Sequence, residues 1–506
     1  MRSVPALAAA LALLAGCVTP AATEAAPAAS DLAFPTPETP FDALLCEGDA
    51  LLQLGQPREA TCNVKVTQDG PAAEVHFVAS PIDPMVLVGG AKDFRLPPDA
   101  RCGKFSVWSG TYRSTDGGRT WATGLLPGHP GDARLTALSD YGCGSDPVLA
   151  FAPDGTLYYA SLMFSLRPGS DPLVPQLAPV LGYETERSAI AVTRSRDGGA
   201  SWDDPVLVVA VEAGLLDKQW IAVDPTTGDV HVSYFSNEGD VVATVSRDQG
   251  ATWSDAVPLV ASQQLPSTPR QGQFAQIAAT ADGVVHAIAW AAGDPLEPSA
   301  ILHRATSDRG ASWSEPVRVV RWAPVIDGGF LYPYRLVTLP ALAAHPRDPA
   351  LYVAFPAPAA SGADTRAHAD LDILVVSSRD GGATWGAPVR VNDDAMGAAN
   401  MQWMPAVAVG PEGTLHVTWI DYREDPGGRL AKVYYARSSD DGATFSVNAA
   451  LSDVAFDGEG GYHQNGGGTI GDYMGLAATP LAAHAFWADT REGRNDVFGA
   501  ILPAGS

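Results

Sequence analysis

Two turns late in this chain repeat one arrangement of side chains: Trp419-x-Asp421-x-Arg423-Glu424 and Trp487-x-Asp489-x-Arg491-Glu492. Each sets a carboxylate two residues from a guanidinium and beside an aromatic ring. Other polar and aromatic groups stand just ahead of apolar runs. They are Asp146 after Ser145, Asp217-Lys218 ahead of Gln219 and Trp220, Gln273 after Gln271, Tyr334-Arg335, Gln402-Trp403 and Asp472-Tyr473. Together they suit a sugar ring, which stacks its C–H face on an aromatic side chain and exchanges hydrogen bonds through its hydroxyls.

Plainer roles stand beside these. The two Trp-x-Asp-x-Arg-Glu turns could be Asp–Arg pairs that lock neighbouring structural units, and Asp217-Lys218 could be a local ion pair. Asp472-Tyr473 follows the glycine-rich stretch at 465–468, where glycines permit close approach of a ligand or of another backbone; a buried tyrosine filling the interior is the rival reading. His463, beside Gln464, reads as a loop hydrogen-bonder rather than a catalyst.

What positions these residues is a repeat. Ser114 to Trp121 (STDGGRTW), Ser195 to Trp202, Ser246 to Trp253, Thr306 to Trp313, Ser378 to Trp385 and Ser438 to Phe445 share one pattern, Ser/Thr-x-Asp-x-Gly-x-x-Trp/Phe. Its aspartates, at 116, 197, 248, 308, 380 and 440, are spaced by 81, 51, 60, 72 and 60 residues. A fixed motif at variable spacing marks one supersecondary unit with variable loops. An Asp at a turn accepts backbone N–H groups, Gly supplies a positive φ, and the ring anchors the hairpin in an apolar layer. The motif therefore reads as a hairpin staple, which carries fold rather than chemistry.

Around each motif the same four strands recur, with the motif between the third and fourth. Counting first strands gives seven: Val75 to Ser80, Pro147 to Phe151, Trp220 to Asp224, Phe274 to Ala279, Leu339 to His345, Met404 to Val409 and Tyr473 to Ala478. The seventh unit ends one strand short, and the strand Cys62 to Thr67 could complete it and protect the open edge. The expected fold is all-β: one seven-bladed β-propeller over residues 58–504, closed by an N-terminal strand, with a six-bladed ring as the alternative. In that strand order the motifs and the turns between first and second strands share one face, the motif face. Links between blades and between second and third strands share the other, the connection face. The candidate side chains gather on the connection face, the default place for a site.

The repeated motif resembles the Asp-box, or bacterial neuraminidase repeat, of sialidases and other propeller proteins, and its six copies extend that resemblance over most of the chain. The resemblance implies a propeller fold. For the best-known enzymes of this kind it also implies exo-sialidase chemistry, with three arginines on the substrate carboxylate, a tyrosine nucleophile activated by a glutamate, and an aspartate acid/base. Carried onto this sequence, Phe94-Arg95-Leu96-Pro97 is similar to the Phe/Tyr-Arg-Ile-Pro of sialidases and makes Arg95 a carboxylate-binding candidate, although here it follows a second strand. Arg335, Arg423 and Arg491 are candidate partners, and Tyr473 or Tyr334 a candidate nucleophile. Asp472, Asp421 and Glu492 complete the expected catalytic set. Asp146, Asp217, Lys218, Gln273, Gln402 and Trp403 are expected to bind substrate. A sialidase-like glycoside hydrolase is thus the first expectation. A non-catalytic propeller that binds glycan or protein is the second, and an assembly scaffold of the cell envelope the third.

The 506 residues carry 57 acidic and 32 basic side chains, a formal charge of -25, which repels phosphate backbones and speaks against nucleic acid as a partner. Arg2, the apolar run Val4 to Leu14 and the sequence Leu14-Ala15-Gly16-Cys17 read as a lipoprotein signal over residues 1–16, with Cys17 lipidated and 17–57 an Ala/Pro-rich tether. The expected location is the bacterial envelope, anchored by lipid alone; Val18 after Cys17 points to the outer membrane. A monomer is expected. Cys46, Cys62, Cys102 and Cys143 suggest two disulfides, and proximity in the chain favours Cys46 with Cys62 and Cys102 with Cys143. No cofactor is expected, although the turn Asn392-Asp393-Asp394 could hold Ca²⁺.

Overall fold

The computed structural model describes residues 63–503 apart from 104–105, 168–184, 262–273, 292–298, 324–325, 328–335, 359–369, 397–399, 426–427 and 465–466. The signal, the tether and Cys17, Cys46 and Cys62 lie outside the described residues. So do Gln273, Tyr334 and Arg335.

Seven antiparallel sheets follow one another along the chain, six of four strands and the sixth blade's with a fifth short strand, Phe456–Asp457, paired to its third. Blade one is Ala72–Ala79, Leu87–Asp93, Trp108–Ser114 and Ala122–Leu125; blade two is Cys143–Phe151, Leu157–Leu166, Thr185–Ser195 and Val206–Glu212. Blade three is Asp217–Val223, Val230–Phe235, Val241–Ser246 and Val257–Val260; blade four is Ala275–Ala279, Val285–Ala291, Ala300–Thr306 and Val317–Arg321. Blade five is Ala341–Ala344, Leu351–Pro358, Leu371–Ser378 and Val389–Arg390; blade six is Gln402–Val409, Leu415–Asp421, Leu430–Ser438 and Ala449–Ala450. Blade seven is Gly475–Ala478, Ala482–Asp489 and Asp496–Pro503, completed by the N-terminal strand Val64–Lys65. Val64 pairs with Gly499 and Lys65 with Phe498, so the edge left open by the C-terminal blade is covered. Each first strand packs beside that of the next blade, and blade seven's packs beside blade one's. The fold is the seven-bladed propeller, and the six-bladed alternative falls away.

Each motif folds as the hairpin staple its residue types suggest. In blade three, Asp248 accepts from the Thr252 N–H at 2.8 Å and from the Thr252 hydroxyl at 2.6 Å, and Ser246 Oγ donates to it at 2.8 Å while accepting from Gly250 N–H. These bonds to the charged form bring Asp248 down to about 2. The motif glycine also lets blades approach one another. At Gly310, φ is 78° and an added Cβ would lie 3.2 Å from the His231 ring of the preceding blade. The same place under the next blade's motif is filled by Val88 in blade one, Tyr158 in blade two and Tyr352 in blade five. At the ring closure, Phe77 of blade one stacks on Phe486 of blade seven at 3.9 Å, with Trp121 edge-on to both at 5.4 Å.

Cys102, in the link between second and third strands of blade one, is bonded to Cys143 at the start of blade two, with 5.4 Å between their Cα atoms.

The first strands of four blades begin two to four residues earlier than the hydrophobic pattern suggests, and each crosses a register shift on the way in. The residue at the shift is Glu74, Asp146, Lys218 or Met404, with φ of 51°, 51°, 51° and 53°. None is glycine, so four strained residues stand at one level of the channel, on the connection face.

Candidate functional site

Three of the four strained residues are charged, and the bulges turn them toward one another. Lys92, on the second strand of blade one, forms ion pairs with Glu74 Oε2 at 2.6 Å and with Asp146 Oδ1 at 3.1 Å. Lys218 of blade three meets the other oxygen of Asp146 at 3.2 Å and Asp472 Oδ2 at 2.5 Å. The result is an alternating chain, Glu74, Lys92, Asp146, Lys218 and Asp472, that joins blades one, two, three and seven across the axis. Ser145 donates a short hydrogen bond to Asp146, and the Gln219 side-chain amide donates to the Asp146 carbonyl. The carboxylates are 1–4% exposed, and the lysine side chains 12% and 14%.

Burial separates these acids. It drives Glu74 up to about 8, helped by the neighbouring Asp146 and only partly opposed by Lys92. Burial pushes on Asp146 in the same direction, but Lys218 and Lys92 together hold that carboxyl well below its ordinary range. Asp217 is raised, first by burial. Both lysines are raised by their carboxylates against the effect of burial. Near pH 7 the cluster therefore holds a protonated acid, Glu74, beside an ionised one, Asp146.

Tyr473, Trp220, Phe274, Gln276 and Leu339 line the adjoining opening, whose volume of about 10 Å³ has room for about one water. The Tyr473 hydroxyl donates to the Pro147 carbonyl at 3.1 Å, and burial pushes it well above the usual tyrosine range. Such a phenol keeps its proton, and its hydrogen bond goes to a backbone carbonyl rather than to a carboxylate. Its ring meets Trp220 edge-on at 5.9 Å, and Trp220 meets His76 at 5.3 Å.

The arginines singled out from sequence form a separate pattern. Arg491 grips Asp489 of its own turn at 2.6 Å and Asp453 of the preceding link at 2.7 Å. Arg423 does the same with Asp421 at 2.7 Å and Asp393 at 2.6 Å. Arg95 stands at the matching corner of blade one and pairs with Asp93 at 2.6 Å and Asp69 at 3.5 Å. The Phe94-Arg95 match is thus a third copy of the Asp-x-Arg turn, and each arginine ties its blade to the link before it. Trp419 and Trp487 donate their indole N–H to the turn aspartates, and Arg423 and Arg491 lie over Tyr434 and Phe498 at 4.3 Å. Glu424 accepts from Tyr434, and Glu492 from Lys65.

Gln402 bonds Asp394 and Asp421, and Trp403 is fully buried against Met404, Ile420 and Tyr422. The stacking platform expected at Trp403 is therefore core packing, because a ring with no exposed face cannot meet a sugar. In the turn where Ca²⁺ could bind, Asp394 is held by Arg390, Asn392 and Asn400, and Asp393 by Arg423. Among the described residues no cluster of three or more His, Cys, Asp and Glu side chains could hold a metal ion, and no helix is long and apolar enough to cross a membrane.

Of the sequence candidates, Asp146, Asp217, Lys218, Asp472 and Tyr473 come together at the axis, while Arg95, Arg423 and Arg491 sit at blade corners. Sequence reasoning missed Glu74 and Lys92. The signal for Glu74 was its place two residues before His76, where Asp146 precedes Val148 and Lys218 precedes Trp220. On the motif face the channel opens into an apolar funnel of about 390 Å³, lined by Phe77, Phe151, Val223, Leu476 and the turn residues Pro81, Pro153 and Pro225.

No family model and no curated protein matches this chain. Several solved structures are similar. A protein of unknown function from Dyadobacter fermentans is 15% identical, over 88% of this chain and 98% of that one, with a TM-score of 0.45. The intramolecular trans-sialidase of Ruminococcus gnavus is 14% identical, over 76% and 99%, with a TM-score of 0.45. An α-L-arabinofuranosidase of Fusarium graminearum is 13% identical, over 92% and 98%, with a TM-score of 0.42.

Proposed function

We propose that this chain is an exported, lipid-anchored propeller that acts on glycans as a glycoside hydrolase, with the axial cluster as its reacting centre. One observation carries the reading: a carboxylic acid raised to about 8 and a carboxylate held low, bridged by one lysine, at the connection-face end of the channel. An acid with that pKa is a proton donor at neutral pH. Glu74 protonates the leaving oxygen. Asp146, held ionised by Lys218 and Lys92, stabilises the positive charge that grows on the sugar as the bond breaks, and a water then adds to the anomeric carbon and returns a proton to Glu74. Export and anchoring rest on the Leu14-Ala15-Gly16-Cys17 signal.

The test is a hydrolysis screen of the purified full chain on fluorogenic glycosides of several sugars, with Glu74→Gln alongside. That variant keeps size and hydrogen bonding but carries no transferable proton, and should lose about 100-fold or more in turnover. Its melting temperature shows whether the fold is intact.

The narrow opening beside the cluster favours a second reading, in which the same face binds a glycan without cleaving it. Silence on every substrate from a folded protein that still binds glycans would select this reading over the first.

A further inference from the structure

Gln219 sits where a strand loses its alternation. Along a regular strand neighbouring side chains point to opposite faces. Between Asp217 and Trp220 the register shifts, with φ of 51° at Lys218, and both Lys218 and Gln219 reach Asp146 of blade two. The lysine takes the carboxylate at 3.2 Å, and the Gln219 amide nitrogen donates to the Asp146 carbonyl. That contact fixes which way the amide lies, because the reverse orientation would set oxygen against oxygen. The side-chain oxygen is left buried with no hydrogen-bond partner among the described residues, on a residue 1% exposed. An acceptor in that position costs stability unless something donates to it.

The opening beside it limits the donor. Its volume of about 10 Å³ admits one oxygen-sized group. Gln276 lines it as well and gives its side-chain oxygen to the Leu342 N–H at 2.7 Å, which leaves its NH2 group as the donor it offers. Trp220, Phe274, Leu339 and Tyr473 complete the wall with mostly apolar surface. A group that fits must donate to Gln219 and accept from Gln276, and a hydroxyl does both. A carboxylate has no hydrogen to give, and a cation meets the Lys218 ammonium, which lines the same opening.

We infer that this opening is a one-hydroxyl site, holding a water in the free protein and taking a single sugar hydroxyl in that water's place when a glycan binds. This deepens the glycan reading of the connection face and rests on it. Trp220 is only half-buried, so a sugar ring can lie against it while one hydroxyl enters. The exchange costs little because the hydroxyl repeats the hydrogen bonds of the water it releases.

Two measurements on the purified full chain test this. A crystal structure of the free protein should show an ordered water within hydrogen-bond distance of Gln219 Oε1 and of the Gln276 amide; no water there overturns the inference, whatever the protein does with glycans. A fluorogenic glucoside and galactoside, each beside its monodeoxy forms, then read the sugar. Removing the hydroxyl that enters should lower kcat/KM, or binding where nothing is cleaved, by about tenfold or more, because it strands the Gln219 oxygen again. That loss should shrink to about twofold or less in Gln219→Met, which has no acceptor to strand. A loss that persists in the variant, or no deoxy form that loses tenfold on the unaltered protein, overturns the inference and leaves the hydrolase reading standing. Neither turnover nor binding of the parent glycosides overturns it too, but through the glycan reading on which it rests. A melting curve verifies the variant. Should it not fold, crystals of the unaltered protein with methyl glucoside or methyl galactoside decide: a sugar hydroxyl on Gln219 Oε1 upholds the inference, and a retained water overturns it.

Discussion

Lys218 of blade three reaches Asp472 of blade seven across the channel, 2.5 Å from Nζ to Oδ2, so two residues 254 positions apart close the axis of the ring. Asp472 is 1% exposed and the lysine side chain 14%, and Asp146 takes the lysine's other contact. Such a pair contributes less by its own attraction than it would cost to break, because removing one partner strands the others in a low dielectric. Lys218→Met should lower unfolding free energy by about 3–5 kcal/mol. The double variant Lys218→Met/Asp472→Asn should lose less than the sum of the two single changes. Urea denaturation of the four proteins measures this, and simple additivity would mean that the pair is not coupled.

Acid should destabilise the ring through its histidines. Burial lowers His76, His231, His286 and His484 from 6.5 to about 4. A group that binds protons more weakly when folded favours the native state above its unfolded pKa, and that stability drains away as pH falls from 6.5 toward 4. Each shift corresponds to at most about 3 kcal/mol. Glu74 acts in the opposite sense: raised from 4.5 to about 8, it gains stability as pH falls through that window. Four histidines outweigh one glutamate, so the urea midpoint should rise slightly from pH 8.5 to pH 6.5 and fall steeply below. A midpoint that is flat from pH 6.5 to pH 4 would show that these histidines titrate normally.

The blade count was legible in the sequence because the information is periodic. Six motifs and seven apolar first strands repeat the same physics, and the lone strand near the N-terminus had one open edge to fill. Register within a blade is less redundant. The bulges at Glu74, Asp146, Lys218 and Met404 leave no compositional mark, since no glycine accompanies the positive φ. The first strand of blade one therefore read as beginning at Val75, and Glu74, just ahead of it, escaped notice. Lys92 was hidden for another reason: it meets Asp146 only because blades one and two pack side by side. The arginine turns were visible, and so was a structural role for them. What the sequence could not show is that Asp69, Asp393 and Asp453 wait in the preceding links to receive them.

The motif glycines should differ sharply from other glycines of positive φ. At Gly382, φ is 82° and an added Cβ would fall 2.1 Å from the His303 ring of blade four. At Gly131, φ is 86° but nothing lies within 4 Å. Gly131→Ala should cost about 1 kcal/mol, the strain of a left-handed backbone alone. Gly382→Ala adds a steric conflict between two blades and should cost about 3 kcal/mol or more. Thermal melts of both variants make the comparison, and equal losses would mean that the blade contact yields freely.

Arg491 separates a blade clamp from a substrate clamp. It is 7% exposed, with Asp489 at 2.6 Å and Asp453 at 2.7 Å, both carboxylates being almost wholly buried. It also bonds the Asn63 side chain at 3.1 Å, next to the strand that closes the ring. Arg491→Ala strands two buried aspartates and loosens the closure, so unfolding free energy should fall by about 3–5 kcal/mol. Arg491→Lys keeps the charge but cannot make the forked contact, and should recover only part of that loss. Substrate affinity behaves differently under the two roles. A clamp between blades leaves KM on a cleaved glycoside within about twofold in whatever fraction stays folded, whereas an arginine that holds substrate raises KM without touching the melting temperature. Denaturation curves and KM measured on the same preparations separate the two, and a large rise in KM at unchanged stability would return Arg491 to the binding site.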